Sequence, residues 1–404
     1  MSKRQGRYTP SEGTHLFVLE NEGIVLSEST QQLFALDTAA TVIWCYLKDG
    51  LTPAETKAAL AQRLELPEQD ARIFVRDSLD QWLGLGLLGD KTDTSFSQEA
   101  SNPLIEVSVD KAPPFERPIS SSEHSYLLLD SRFNVRYTSL NQEKWVCPVL
   151  AHWEVGRTDE PDLTVDIIKY KNAYYIYGNG KALRRCEAIK SIAPAVKGIL
   201  RQAACSDSSS FLSIHAGVIG TRAECLLLPG PSGSGKTVLT AALMHAGFQY
   251  YSDEIALLEE PDLRVRPVPL SLCVKSSGWQ LLTSYFPDLA DLPIHLRADG
   301  QRVRYLPPMT SAIPVDHHTA KIGCIVFPRF NPNDSASLRP TKKSLVLQRL
   351  FQETLAVPAD LNLGYVAKLI AWIEDVDCYD LTAPNIEEAV GILSDLLPKR
   401  SGRV

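Results

Sequence analysis

Several signals are absent from this chain of 404 residues. Its 8 cysteines stand singly, with no C-x-x-C pair and no Cys/His cluster at zinc spacing, which argues against a disulfide framework. No apolar run approaches the roughly 18 residues of a membrane span, and no apolar segment follows the basic N-terminus. A formal net charge of −7 lacks the basic excess of nucleic-acid binders. We therefore expect a globular, cytoplasmic protein that binds neither nucleic acid nor membrane.

The strongest signal present is a phosphate-binding loop. An apolar strand over 225–228 precedes it, and a helix over 238–245 follows it and ends at Gly247. The loop fits G-x-x-x-x-G-K-[ST] at every fixed position. It consists of Gly230, Pro231, Ser232, Gly233, Ser234, Gly235, Lys236 and Thr237.

The chemistry of such a loop requires these residue types. Glycines let the backbone N–H groups turn inward around a polyphosphate, and the helix N-terminus adds its positive end. Lys236 is then expected to reach the β- and γ-phosphates, and the Thr237 hydroxyl to ligate Mg²⁺. The alternative is an ordinary Gly/Ser-rich turn between strand and helix. Because strand, loop and helix occur in the required order, we expect a nucleotide-binding site.

Acidic residues lie close behind the loop. Many P-loop proteins carry an acid at the end of a distant strand, but the best such strand here, 322–327, ends in Pro328-Arg329. Asp253 and Glu254 instead follow Lys236 by 17 residues, just past the Gly247 turn. One carboxylate can accept a proton while the other holds a metal, the division that phosphoryl transfer needs. The alternative is a solvated acidic turn.

A histidine precedes the loop. His215 stands 21 residues before Lys236, on the chain leading into the P-loop strand. A lone histidine among apolar residues is more often a satisfied core side chain than a catalyst. His215 therefore supports a catalytic site only in combination with the loop and the acidic pair.

This constellation resembles HPr serine kinase/phosphorylase and its relatives over about residues 205–330. His215 matches the family histidine, Asp253 its catalytic aspartate and Glu254 the second acid. The resemblance implies a P-loop kinase fold, Mg-ATP as donor and a protein or peptide serine as acceptor. Asp253 would act as base with electrostatic help from His215, Lys236 would neutralise developing charge, and Thr237 and Glu254 would hold Mg²⁺.

The chain departs from that family at three points. The family's His-Gly pair is His215-Ala216 here, the acidic pair is Asp-Glu, and the Gly-Arg-Asn segment is missing. These departures leave open whether phosphorylase activity is retained and whether HPr is the substrate. Five basic residues are left open between substrate contacts and surface charges, namely Lys275, Arg297, Arg302, Arg304 and Arg329.

A small separate domain is predicted over 14–90. A hairpin and a third strand over 32–36 precede three helices, and a glycine-rich, wing-like turn over 84–89 closes the unit. Asp37 caps the first helix, and Thr52-Pro53-Ala54-Glu55 is a capping box that opens the second. The third helix lacks the Lys and Arg excess of a DNA-reading helix. Its acidic residues Glu68, Asp70, Asp77 and Asp80 outnumber Arg72 and Arg76, which argues against DNA binding.

This arrangement resembles the PqqD family, whose members bind leader peptides of ribosomally made precursors. In that family the leader adds as a strand to the sheet edge and lies against the third helix. The matching positions here are the edge near residues 32–36 and the helix over 73–83. Residues 1–90 are therefore assigned to a PqqD-like domain.

The remaining divisions follow from composition. Residues 91–102 are polar and form a linker. Residues 103–210 form a β-rich segment, with a first strand over 104–109 and a closing helix over 186–204, which packs on the kinase core but shows no chemistry. Residues 211–404 form the P-loop domain with its C-terminal helices. The predicted class is α/β, or α+β over the whole chain.

Together these features predict an ATP-dependent kinase that phosphorylates a serine hydroxyl of a precursor peptide held by the N-terminal domain. Two alternatives stay open: a small-molecule or sugar kinase, and a non-enzymatic, nucleotide-gated peptide chaperone. Relatives of the kinase family form hexamers, so the resemblance also allows a homo-oligomer, although no interface can be named from this chain.

Overall fold

The computed structural model describes residues 7–90, 112–117, 119–206, 210–315, 318–356 and 360–397. Helices and six sheets alternate along these residues, which confirms the expected class. The predicted linker over 91–102 and the predicted strand over 104–109 lie outside the described residues. None of the described helices is both long enough and apolar enough to cross a membrane.

The described helices and strands have the following bounds. The helices are α1 Thr38–Lys48, α2 Pro53–Arg63, α3 Glu68–Gly84, α4 Leu140–Leu150, α5 Ile192–Ser206, α6 Lys236–His245, α7 Ser276–Leu282, α8 Lys343–Glu353, α9 Leu363–Glu374 and α10 Ile386–Leu396. The strands are β1 Tyr8–Pro10, β2 Thr14–Leu19, β3 Glu22–Ser27, β4 Gln32–Leu36, β5 Leu88–Asp90, β6 Ser122–Leu128, β7 Ser131–Tyr137, β8 Glu154–Val155, β9 Leu163–Tyr170, β10 Ala173–Gly178, β11 Lys181–Cys186, β12 Leu212–Ile214, β13 Ala216–Gly220, β14 Glu224–Pro229, β15 Gln249–Ser252, β16 Ala256–Glu259, β17 Arg264–Arg266, β18 Leu272–Lys275, β19 His295–Leu296, β20 Arg302–Leu306, β21 Lys321–Phe330, β22 Ser337–Pro340, β23 Thr354–Ala356 and β24 Asp377–Ala383.

The N-terminal residues fold into a small sheet covered by three helices. The sheet order is β2-β3-β4, so β4 is an edge strand, and β1 pairs separately with β5. The predicted caps are present: Asp37 accepts a hydrogen bond from the Ala40 amide, and Thr52 and Glu55 form the reciprocal capping box. The rings of Trp44 and Trp82 meet edge to face at 5.1 Å in the core between α1 and α3.

The chain divides into two compact units, and the first contains more than the N-terminal residues. Residues 341–352 and 360–378, which the sequence assigned to the P-loop domain, belong to it. The Glu22 carboxylate accepts hydrogen bonds from Lys342 and Ser344, and Gln31 bonds to the backbone of Leu361. These long-range polar contacts join the region of α8 and α9 to the N-terminal sheet. The first unit is therefore built from segments that are far apart in the sequence.

The second unit contains the middle segment and the P-loop core together. The middle sheet has the order β11-β10-β9-β7-β6-β8, and one hydrophobic cluster joins it to α4, α5 and side chains beyond residue 254. The predicted closing helix over 186–204 begins later, at Ile192, because residues up to Cys186 pair with β10 as strand β11. A helix that the sequence reading missed, α4, precedes β8.

The P-loop lies at one end of a mixed sheet. Its order is β15-β13-β14-β21-β24-β22, with β14 parallel to β21 and antiparallel to β13. Helices α6 and α10 pack together, and their apolar side chains share one core with this sheet. The buried strand β14 thus delivers the chain directly into the loop between Pro229 and Lys236.

Candidate functional site

The P-loop has the backbone that its glycines permit. Gly230, Gly233 and Gly235 have φ values of 144°, 95° and 90°, in the region that residues with a side chain rarely adopt. Gly235 is the residue immediately before α6, and a Cβ placed there would lie 2.6 Å from the Phe330 ring. Both its dihedral angle and its surroundings therefore require glycine.

Gly235→Ala is expected to be among the more disruptive single-methyl changes in this unit. The methyl group must displace Phe330 and hold φ near +90°, which we expect to cost about 1–3 kcal/mol of unfolding free energy and to weaken nucleotide binding. Gly391→Ala is the control, because Gly391 lies in helix α10 with no atom near the new methyl group. Thermal unfolding and nucleotide binding should distinguish the two; equal behaviour would contradict the steric argument.

Lys236 is buried within the loop that precedes it. Its side chain donates to the carbonyl oxygens of Gly230 and of Pro231, the latter at 3.1 Å. The residue is only 6% exposed. The ammonium group is thus held inside the turn where a polyphosphate would be cradled.

A cleft of about 260 Å³ opens beside the loop and brings the predicted site residues together. The P-loop, the acidic pair and the histidine all contribute to it, although they are separated by up to 39 residues in the sequence. It is lined by His215, Ser232, Gly233, Gly235, Lys236, Thr237, Val238, Asp253, Glu254, Cys273, Lys275, Ser277, Gly278 and Arg297.

Asp253 is the more deeply buried of the two carboxyls, at 2% exposure. Its Oδ2 accepts the Cys273 N–H at 3.4 Å, and Thr237 lies beside the carboxyl on the wall of the cleft. Its Oδ1 has no hydrogen-bond partner among the described residues. Burial and the neighbouring Glu254 charge raise the pKa of Asp253 from 3.8 to about 6.

Glu254 is held ionised by a residue that the sequence reading missed. Lys197, on α5 in the middle segment and 3% exposed at its side chain, donates to Glu254 Oε1 at 2.8 Å. Burial alone would raise the pKa of Glu254, but Lys197 and then Arg201 outweigh burial and lower it. The middle segment, read as having no chemistry, therefore supplies a charge to the site. The sequence does carry a signal for this role, because Lys197 and Arg201 form a basic pair at i, i+4 on the largely apolar helix α5.

His215 stands at the break between β12 and β13. Its Nδ1 lies 2.9 Å from the Glu254 carbonyl oxygen. The ring nitrogen can therefore donate to that oxygen, which fixes the ring at the wall of the cleft and ties it to the backbone of the acidic pair.

The five basic residues whose roles the sequence left open lie in three different places. Lys275 and Arg297 line the cleft, and Lys275 donates to the Ser232 hydroxyl of the loop. Arg304 and Arg302 instead lie over the Trp279 ring, at 4.4 and 5.8 Å. Arg329 is exposed and is outside the described lining of the cleft.

The two adjacent carboxyls are thus prepared for different roles. A buried group with a pKa near 6 can accept a proton near neutral pH, whereas a carboxylate kept ionised cannot do so as readily. The ionised Glu254, whose side chain stays 20% exposed, and the Thr237 hydroxyl are oxygen donors of the kind that Mg²⁺ prefers. The donor set on this wall of the cleft fits such an ion.

Comparison with known proteins does not assign this chain to a family. No family model matches the chain, and no curated protein matches it. Among solved structures, the one described as "TbiB1 in Complex with the TbiA(beta) Leader Peptide" is 24% identical, covers 21% of this chain and 99% of that chain, and has a TM-score of 0.20. A likeness of this extent carries no argument about the activity of this chain.

Proposed function

We propose that this protein is a kinase that transfers the γ-phosphoryl group of ATP to a serine hydroxyl of a peptide. The observation that supports the proposal best is the convergence of Lys236, Thr237 and a buried Asp253 with a raised pKa on one cleft. A cation, a metal-ligating hydroxyl and a proton acceptor are the parts that phosphoryl transfer needs.

In the proposed reaction, the acceptor oxygen forms a bond to the γ-phosphorus while the bond between that phosphorus and the ADP oxygen breaks. Asp253 takes the proton from the acceptor hydroxyl, and its unpartnered Oδ1 is the oxygen available for it. Lys236 and the loop N–H groups stabilise the charge that develops on the phosphate oxygens. Thr237 and Glu254 would hold Mg²⁺, which neutralises phosphate charge when bound.

The N-terminal unit offers a place for the peptide. A groove of about 240 Å³ runs between the edge strand β4 and helix α3, with Phe34, Trp82 and Leu87 among its lining residues. Phe74 and Leu85, 43% and 38% exposed, also line it. An extended peptide could pair with β4, an edge strand of the described sheet, and place apolar side chains in this groove. Holding the peptide on the same chain as the cleft raises its effective concentration there.

Phe74→Glu should weaken binding of a precursor peptide by at least about tenfold, because a charge replaces an apolar wall of the groove. Ile73→Glu is the matched control. Ile73 neighbours Phe74 on α3 and is 39% exposed, but it lies outside the groove lining. Fluorescence anisotropy with a labelled precursor peptide measures both. Equal losses in the two variants would count against the groove.

The activity itself is tested by intact mass spectrometry of the precursor peptides encoded beside this gene, after incubation with the full chain and Mg-ATP. The expected result is the gain of one phosphoryl group, which disappears when the acceptor serine is replaced by alanine. ATP turnover without peptide would favour a small-molecule kinase instead. ATP-dependent peptide binding without transfer would favour a chaperone.

A further inference from the structure

A cluster of metal-ligating side chains lies in the middle segment, and none of its members lines the cleft. His124 is on β6, and Glu143 and Cys147 are one turn apart on α4. The imidazole nitrogen, a carboxylate oxygen and the thiol sulfur all lie within 4.8 Å of one another. All three side chains are half-buried. The sequence shows no metal motif here because the fold, and not the spacing, brings His124 to the helix.

The hydrogen bonds around His124 leave a place for a cation. Its Nδ1 lies 2.8 Å from Glu154 Oε1, and its Nε2 lies 3.1 Å from Glu143 Oε1. A neutral imidazole has one N–H, so it can donate to only one of these carboxylates. The other ring nitrogen then presents a lone pair to a carboxylate oxygen, which is repulsive unless a proton or a metal ion lies at that nitrogen.

The partners of the cluster hold its ligand atoms in place. Glu154, on β8, is placed to accept the Nδ1–H, which leaves Nε2 as a ligand; carboxylate–histidine–metal relays are built this way. The Ser122 hydroxyl donates to Glu143 Oε2 at 2.6 Å and so orients Oε1 towards His124. Cys147 lies on the same helix face, four residues after Glu143.

We propose that His124 Nε2, Glu143 Oε1 and Cys147 Sγ form a binding site for a divalent transition-metal ion, with zinc as the best match to this set. Nitrogen, sulfur and oxygen ligands together suit Zn²⁺, and three protein ligands leave a fourth position open. Glu154 is the outer carboxylate that positions His124. This site is independent of the proposed kinase cleft.

Metal binding competes with protons at two of the ligands, the Cys147 thiol and the His124 imidazole. The metal ion would bind the thiolate form of Cys147 and the unprotonated Nε2 of His124. Metal binding must displace both protons. Affinity should therefore increase with pH, and measurements belong at pH 8 or above.

The test is a Co²⁺ titration of the full chain after treatment with chelator, with excess Mg²⁺ present to fill oxygen-ligand sites. We expect one equivalent to produce a thiolate-to-cobalt charge-transfer band that Zn²⁺ abolishes. Cys147→Ser should remove the band, and Glu154→Gln should weaken binding by about 10- to 100-fold. Cys205→Ser is the control, because Cys205 is another half-buried cysteine of the same unit.

A second measurement does not depend on how the variants fold. Zn²⁺ should slow alkylation of Cys147 in the unmodified protein, as read from the mass of the peptide that contains it, and should leave Cys205 unaffected. A titration without a thiolate band, a band that persists in Cys147→Ser, or alkylation of Cys147 that is indifferent to Zn²⁺ would overturn the proposal. His124 would then be a protonated bridge between two carboxylates.

Discussion

Asp253→Asn is expected to reduce phosphoryl transfer by about 10²–10⁴-fold while making the folded protein more stable at neutral pH. The substitution keeps the size of the side chain and an oxygen for the Cys273 N–H. It removes the proposed proton acceptor and also removes a buried charge. Loss of activity with gain of stability separates a functional role from a structural one.

The sign of the stability change follows from the direction of the pKa shift. The folded-state pKa of Asp253 is raised from 3.8 to about 6, so ionisation of this group disfavours folding. The resulting destabilisation begins as pH rises above about 4 and is complete above about 6. A shift of this size corresponds to roughly 3 kcal/mol, and since the Asn amide must itself find partners, we expect a gain of about 1–3 kcal/mol.

Urea unfolding at pH 4 and pH 8 checks this, together with a transfer assay and ATP binding at pH 8. Asp253→Asn should be more stable than the unmodified protein at pH 8 and similar to it at pH 4, with ATP binding retained. Asp262→Asn, an exposed aspartate of the same unit, should change nothing by more than about 0.5 kcal/mol. If ATP binding disappears with activity, Asp253 holds the metal and is not the base.

The activity of the unmodified protein should also depend on pH. Because the base in the proposed reaction is the ionised form of Asp253, kcat/KM should rise with pH through about 6 and then level off. A pH profile without this limb would contradict the assignment of Asp253 as the proton acceptor.

Lys197→Met should have the second-largest effect, and it acts on both stability and pH dependence. Removing one partner of a buried ion pair costs about 3–5 kcal/mol; since the Glu254 side chain is 20% exposed, we expect a loss near the lower limit, about 3 kcal/mol. Loss of the positive charge also raises the pKa of both Glu254 and Asp253. The acidic limb of kcat/KM should therefore move to higher pH.

Two comparisons identify the origin of that effect. The double variant Lys197→Met/Glu254→Gln should recover much of the lost stability, because the carboxylate that lost its partner is gone. Lys190→Met replaces an exposed lysine of the same unit and should be near neutral. If the acidic limb of kcat/KM does not shift in Lys197→Met, Lys197 only stabilises the fold and does not lower the pKa values of the two carboxyls.

Local features of this protein could be predicted because their determinants are adjacent in sequence. The P-loop is fixed by the glycines and by the strand and helix beside it, and the structure gives β14 and α6 where the pattern placed them. The Asp37 cap and the Thr52–Glu55 box are likewise interactions over three residues. Hydrogen bonds of such short range depend little on the rest of the fold.

The remaining features depend on contacts that no spacing in the sequence encodes. Lys197 reaches Glu254 across 57 residues, and Glu22 reaches Lys342 across 320. His124 meets Glu143 only because β6 packs against α4. The sequence by itself determined that a glycine-rich loop of the pattern G-x-x-x-x-G-K-[ST] joins a strand to a helix, and which side chains this loop carries. The tertiary structure alone decided which charges surround those side chains, because burial and charge proximity, which set the pKa values of the two carboxyls, arise only when distant segments pack together.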